Sequence, residues 1–315
     1  MKLITFNREG TSRIGVIVNE EVVDLHGAYK ALLESEGKLR AVQIAEAFIP
    51  PDMNGFLQGG AESMALAKKA LDYALSHKDD SSYTLVFPLR DVRMEAPIPS
   101  PGKIICVGHN YREHILEMKR ELPPYPVVFA KFSNTVIGPQ DDIPFYPISE
   151  QLDYEAEFAF VVGKRARNVS QAEALDYVAG YTIVNDVTYR DLQRRTLQWL
   201  QGKTVEGSAP MGPWLVTSDE LNNPEGLEVV LTVNGEERQR SNTRNLVFSV
   251  QYLVEFLSNL MTLEPGDVVL TGTPGGVGIA RDPQVFLKDG DVVKIEIDGV
   301  GVLENRVKQV EEVTQ

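Results

Sequence analysis

The stretch Leu152-Asp153-Tyr154-Glu155-Ala156-Glu157-Phe158 sets acidic and apolar residues at alternate positions. In a β-strand successive side chains point to opposite faces, so Asp153, Glu155 and Glu157 share one face and Leu152, Tyr154, Ala156 and Phe158 the other. Acids two positions apart are separated by roughly 6.5 Å, and their repulsion is unfavourable unless water screens them or a cation lies among them. Two readings stand at this point: a solvated, charged strand face that discourages aggregation, or a cation site.

Working outward, Ser170 and Glu173 in SQAEALDYVAG match a capping box, with Gly180 placed to end that helix. YTIVNDV, residues 181–187, reads as a strand. Upstream, KIICVG and PVVFAKF read as strands flanking a polar helical stretch, YREHILEMKREL. Downstream, LEVVLTVNGEERQR carries an Asn-Gly hairpin signal at Asn234-Gly235, SVQYLVEFLSNLM is a short amphipathic helix, and DVVLTG, DVVKIEID and GVGVLENRV are further strands. The chain opens with KLITF and a hairpin turning near Asn19-Glu20, then two amphipathic stretches, AYKALLESEGKLRAVQIAEAF and AESMALAKKALDYALSH, a solvated KDDSS and a strand. APIPSPGK, residues 96–103, concentrates Pro97, Pro99 and Pro101 and marks a domain junction. The expected fold is therefore α+β and β-rich, with a small N-terminal α+β domain over residues 1–96 and a main domain over 97–315. Many short strands with few helices favour a roll or barrel over a doubly wound sheet.

The 315 residues are 43% hydrophobic and 24% charged, an ordinary globular balance. A net charge of −14 repels phosphate backbones and anionic membranes, which argues against nucleic acid as a partner. MKLITFNREG lacks the apolar core of a signal peptide, and no apolar run approaches the roughly 20 residues of a spanning helix, so a cytoplasmic location away from membranes is expected. The single cysteine, Cys106, excludes an internal disulfide and thiolate-rich zinc sites; in the apolar KIICVG it reads as a buried structural thiol.

Chemistry gathers at a few points. Glu155, Glu157 and Asp186, at the end of YTIVND, form a possible all-oxygen set that suits Mg2+ or Mn2+ and suits zinc poorly; Asp186 alone also reads as a strand-end turn residue. In HNYREHILEM a helix would put His114 and Glu117 three residues apart on one face, either as a general base oriented by a carboxylate or as a surface ion pair. TGTPGGVG, residues 271–278, lacks the ending of a P-loop. It reads as a tight turn, or as a backbone nest that holds a carboxylate with the Thr271 and Thr273 hydroxyls. Lys203, Arg190 and Gln193 would by spacing alone be surface residues.

Taken together and in order, ICVGHNYREHILEM, LDYEAEFAFVVGK, GYTIVNDVTYRDLQ, GKTVEGSAPMGP and LTGTPGGVG resemble the fumarylacetoacetate hydrolase family over about residues 97–309. The resemblance implies a mixed β-sandwich roll, commonly dimeric, with Glu155, Glu157 and Asp186 as the Mg2+ or Mn2+ ligands and Asp153 left without a ligand role. It implies a catalytic His114–Glu117 dyad on a lid segment, Lys203 near the metal, and Arg190, Gln193, Thr273 and Tyr111 as substrate contacts. The implied substrate is a small anionic 2-oxo acid. Hydrolytic cleavage of acylpyruvate-type β-diketo acids leads the expectations, followed by decarboxylation of a β-keto acid such as oxaloacetate and isomerisation of an unsaturated 2-oxo dioate. A noncatalytic metal-binding scaffold is the alternative of another class. Two departures stand out: His109, where many relatives carry Arg or Lys, makes a fixed cation there pH-dependent, and Glu206 replaces a frequent Asp.

Overall fold

A computed structural model of the chain describes residues 1–78 and 84–311, so Asp79 to Ser82 of the KDDSS stretch lie outside the described residues. The opening strands β1 (Lys2–Arg8), β2 (Thr11–Val18) and β3 (Glu21–Asp24) pair in sequence. The turn falls at Asn19, whose φ of 56° suits an asparagine, as the hairpin reading requires. Asp24 then caps α1 (Leu25–Ser35) by accepting from the Gly27 amide. The first amphipathic stretch is two helices rather than one, because Gly37 at φ 73° breaks it before α2 (Ala41–Phe48). An unexpected short helix, α3 (Met53–Gln58), precedes α4 (Gly60–Ser76), and β4 (Val86–Pro88) and β5 (Arg93–Glu95) complete the N-terminal part.

Beyond the proline-rich junction come β6 (Ile104–Gly108), α5 (Arg112–Glu117), β7 (Val127–Lys131), β8 (Val136–Ile137), β9 (Ile143–Phe145), β10 (Leu152–Asp153), β11 (Ala156–Val162) and β12 (Val178–Asn185). They are followed by β13 (Thr188–Tyr189), α6 (Arg190–Arg194), α7 (Leu200–Lys203), β14 (Ala209–Thr217), β15 (Glu228–Val233), β16 (Glu236–Asn242), α8 (Val250–Leu260), β17 (Val268–Leu270), β18 (Val292–Ile297) and β19 (Gly301–Gln309). Among the described residues the large sheet runs β4-β3-β2-β1-β14-β12-β11-β17-β6-β7, with β5 beside β1 and β8 beside β14. A second sheet runs β16-β15-β18-β19-β9. The fold is the expected strand-rich α+β roll. The antiparallel pairing of β1 with β14 carries the large sheet across the junction at residues 96–103, which we retain as a proposed boundary between sequence units.

The central strand β11 sets the plan. Leu152, Tyr154, Ala156, Phe158, Phe160 and Val162 enter a core shared with the second sheet and α8, whereas Ala159 and Val161 enter a core shared with the N-terminal helices. The acids of residues 153–157 share the parity of Ala159 and Val161. A slip of one residue would drive three acids into the first core and expose aromatics each worth about 1.5–3 kcal/mol when buried, so the register is strongly specified.

Two local expectations fail for identifiable reasons. Ser170 does donate to Glu173 at 2.6 Å, but only a 3-10 turn (Ala174–Tyr177) follows, and Gly180 lies inside β12. A Cβ at Gly180 would sit 2.1 Å from the Val216 carbonyl oxygen, so the glycine serves close strand contact rather than helix termination. The helix of YREHILEMKREL stops at Glu117 because Lys119 takes φ 54° and turns the chain back.

Candidate active site

Each carboxylate of the acidic set arrives from a strand end. Glu155 lies just before β11 and Glu157 within it, and Asp186 follows β12. The Asp186 amide donates to the Glu155 carbonyl (2.9 Å) and the Glu155 amide to the Asn185 side chain (3.1 Å), which ties the two positions together. One oxygen from each of Glu155, Glu157 and Asp186 falls within 4.8 Å of the others, and all three residues are buried. Lys203 Nζ bridges Glu155 and Asp186 at 2.6 Å each, Lys131 Nζ lies 2.9 Å from Asp186 Oδ1, and Arg190 pairs with both Asp153 and Glu155 at 2.7 Å.

Four acids thus meet three cations, and Glu157 is the acid without a cationic partner among the described residues; it accepts only the Gly272 amide, at 2.5 Å. Burial, with Asp186 and Glu155 alongside, pushes the Glu157 carboxyl well above the usual range. Burial acts the same way on Glu155, but Lys203 and Arg190 outweigh it and hold that carboxyl well below the range. Burial works against the Lys203 ammonium, yet Asp186 and Glu155 raise its pKa overall. A surplus negative charge among hard oxygen donors, with no thiolate and no imidazole in the set, fits a divalent cation of the Mg2+ or Mn2+ type.

The loop of residues 271–278 does not present a free nest. Its amides, with that of the adjoining Ile279, serve the protein's own carboxylates: Gly272 donates to Glu157, Gly276 to Glu117 (3.0 and 3.1 Å), and Gly278 and Ile279 to Asp153 (2.8 and 3.0 Å). Thr271 is spent on the Phe158 carbonyl. Thr273 does face the cavity, its hydroxyl accepting from Gln239 at 2.9 Å. His114 Nδ1 lies 3.4 Å from Glu117 Oε2. Burial would raise the Glu117 carboxyl, but the His114 hydrogen bond and the Gly276 amide outweigh it and hold the group below its ordinary value. An ionised carboxylate beside Nδ1 favours the tautomer that carries its proton on that nitrogen and presents Nε2 as an acceptor.

A cavity of about 90 Å³ joins these parts. His114, Glu155, Glu157, Arg190, Gln193, Lys203 and Thr273 all line it, Glu117 reaches it through His114, and Asp186 stands outside the lining with a carboxylate oxygen within 4.8 Å of the other two acids. Tyr111 is fully buried outside the lining, its hydroxyl without a hydrogen-bond partner among the described residues. Glu206 accepts from Asn134, away from the lining residues. Four participants escaped the sequence reading, Arg194 on the cavity wall among them. Lys131, 1% exposed, is one; a lone lysine in the apolar VVFAKF was the available signal, since a buried lysine demands a partner. Trp199 packs its edge against His109 and Phe129, and Arg120 donates to His109 Nε2 at 2.9 Å. Burial, then Arg120 and His114, lower the His109 pKa to about 4, so His109 is neutral and the cation at this corner is Arg120.

A sequence model described as fumarylacetoacetate (FAA) hydrolase, C-terminal, matches residues 103–308. The chain belongs to the fumarylacetoacetate hydrolase family. It is similar to the oxaloacetate tautomerase YisK of Bacillus subtilis, 40% identical over 312 residues, which cover 98% of this chain and 100% of the relative. It is 41% identical over 277 residues to the mitochondrial oxaloacetate tautomerase fahd2 of Xenopus laevis, covering 87% and 84% of the two chains. Among solved structures of the family, the fumarylacetoacetate hydrolase of psychrophilic Exiguobacterium antarcticum matches with a TM-score of 0.81 at 35% identity, over 98% of this chain and 100% of the other. A Sphingobium maleylpyruvate hydrolase in complex with manganese(II) and pyruvate matches with a TM-score of 0.74 at 28% identity, over 99% and 100%.

Proposed function

We propose that this family member is a divalent-metal-dependent enzyme that moves a proton between the keto and enol forms of a small 2-oxo acid, with oxaloacetate as substrate. The observation that carries the reading is the meeting of an oriented base, His114 with Glu117, and a buried acid triad in a cavity of only about 90 Å³. That space is far below the ~300–1,000 Å³ of pockets for drug-sized ligands, which favours a substrate of few atoms. Two relatives at 40–41% identity, named as oxaloacetate tautomerases, support the choice of substrate.

A Mg2+ or Mn2+ ion held by Glu155, Glu157 and Asp186 would supply Lewis-acid polarisation of the 2-oxo group. Toward the enol, His114 Nε2 takes the proton from the carbon beside the 2-oxo group while Glu117 holds Nδ1, and the 2-oxo oxygen gains a proton from solvent; the reverse direction returns the carbon proton and releases the oxygen proton. Lys203, fixed by Glu155 and Asp186, offers an ammonium to the developing oxyanion. Gln193, held by Arg190 at 3.1 Å, and Thr273, held by Gln239, orient the substrate carboxylate.

Cleavage of acylpyruvate-type β-diketo acids is the second reading. The same His114–Glu117 pair can deprotonate water, and the likeness to a maleylpyruvate hydrolase supports it. The deciding experiment follows enol absorbance from oxaloacetate, and pyruvate and carbon dioxide release from oxaloacetate, acetylpyruvate and fumarylpyruvate, with metal-stripped protein before and after Mg2+ or Mn2+. Metal-restored enol loss above the buffer rate, without pyruvate, supports the tautomerase. Pyruvate from the acylpyruvates replaces it with the hydrolase, and carbon dioxide from oxaloacetate with a decarboxylase. Silence on all three removes the enzyme reading in favour of a metal-binding scaffold. We also propose that the chain works as a homodimer, which sedimentation against the 35.0 kDa chain mass tests.

A further inference from the structure

The cavity holds a second charge imbalance, opposite in sign to the one at Glu157. Arg190 and Lys203 are matched to carboxylates, but Arg120 and Arg194, which also line the cavity, form no ion pair among the described residues. Both are exposed, which puts them on the solvent side, and Arg194 feels Arg190 and Arg120 enough for its own pKa to fall, after the larger effect of burial. Uncompensated guanidinium groups around one small space repel each other, as the three carboxylates do, and an anion among them relieves the repulsion.

Arg120 is placed there by the chain. Lys119 at φ 54° reverses the backbone after α5, and the Arg120 amide returns to the Ile115 carbonyl at 3.0 Å. The Arg120 side chain is steered by His109, whose Nε2 accepts from Nη1 at 2.9 Å. The His109 ring is itself clamped, with Trp199 edge-on at 5.5 Å and His114 stacked at 5.9 Å. A neutral imidazole engages the guanidinium without cancelling its charge, so the remaining N–H groups of the fork stay available for a carboxylate.

We propose that Arg120, positioned by His109 and assisted by Arg194, binds the second carboxylate of the substrate and so makes the site select 2-oxo dicarboxylates over 2-oxo monocarboxylates. The inference rests on the reading of the cavity as a 2-oxo acid site and assigns the residue that reads the far end of the molecule. Because Arg120 is exposed, the discrimination weakens with rising ionic strength.

The test compares binding of oxaloacetate and pyruvate to the Mn2+-loaded protein and to its Arg120→Leu and Arg120→Lys variants, read by rapid-mixing tryptophan fluorescence, since Trp199 lines the cavity. Unchanged melting temperatures confirm that the variants fold. Loss of a charge-assisted hydrogen bond weakens oxaloacetate binding by roughly tenfold or more in Arg120→Leu. Pyruvate affinity stays within about twofold, and Arg120→Lys keeps part of the preference. An unchanged oxaloacetate-to-pyruvate ratio in Arg120→Leu, or equal weakening of both ligands, overturns the proposal. The two readings separate in the same experiment. A wild type that discriminates but does not interconvert keto and enol forms sinks the tautomerase and leaves the role of Arg120 standing. A wild type that interconverts them while Arg120→Leu keeps the ratio does the reverse.

Discussion

At the scale of single residues, the site is a problem of charge placement, and its members respond differently to removal. On the proposed reading His114→Ala deletes the base without touching the acid triad, so kcat is expected to fall about 10²–10⁴-fold while Mn2+ affinity stays within about twofold by titration calorimetry. Lys131 is buried against Asp186, so Lys131→Met leaves that acid with Lys203 alone. The metal-free variant is expected to lose about 3 kcal/mol in urea unfolding, and Mn2+ should recover part of it by supplying the missing positive charge. For His109 the sign follows from linkage. Its folded pKa, about 4, lies below the ordinary value of 6.5, so the unfolded chain binds this proton first. The stability it contributes is complete above about pH 6.5 and is lost as pH falls toward 4. Imidazole NMR across that range is expected to show the His109 ring titrating at about 4, and a midpoint near 6.5 would refute the neutral ring. None of these partnerships is visible in spacing. Lys131 and Asp186 are 55 positions apart in sequence and meet only because β7 and β12 belong to one sheet.

At the scale of elements, the loop of residues 271–278 organises the site chiefly through its backbone, with the side chains of Thr273 and Val277 lining the cavity. Its amides hold Glu157, Glu117 and Asp153, so one turn sets the triad, the dyad and the Arg190 anchor. Gly276 has φ 100°, and a Cβ there would lie 2.1 Å from the Arg238 carbonyl oxygen. Gly276→Ala is therefore expected to cost about 2–3 kcal/mol in chemical denaturation and to lower kcat as Glu117 is released. A variant with wild-type stability and rate would show that the loop is only a connector. The glycine-rich composition was legible in the sequence, but the destination of the amides was not, because a nest for substrate and a nest for protein carboxylates have the same local signature. The pair Ser170 and Glu173 misled for a related reason: the two side chains bond to each other rather than to backbone amides, and packing of β12 against β14 takes the following residues into the sheet.

At the scale of the whole molecule, the N-terminal and C-terminal parts share a sheet through β1 and β14, and share a core in which Leu3, Ile14 and Leu25 join Ala159, Val161 and Leu215. Thermal unfolding is expected to give one calorimetric transition whose midpoint rises on adding Mn2+, whereas two separated transitions would show that the parts unfold independently. The sequence by itself determined the strand-rich class, the alternation of acidic and apolar side chains through residues 152–158, the main hairpins and the residue types of the candidate triad and dyad. These are local properties: periodicity two, turn chemistry and a small set of side chains in order. Only the tertiary structure decided which acid is left without a cation, that Lys131 pairs with Asp186, that Trp199 and Arg120 line the cavity, and that the loop serves the protein's own carboxylates. Those outcomes depend on strands distant in sequence being brought within a few ångströms, where burial removes the screening of water and makes each uncompensated charge consequential.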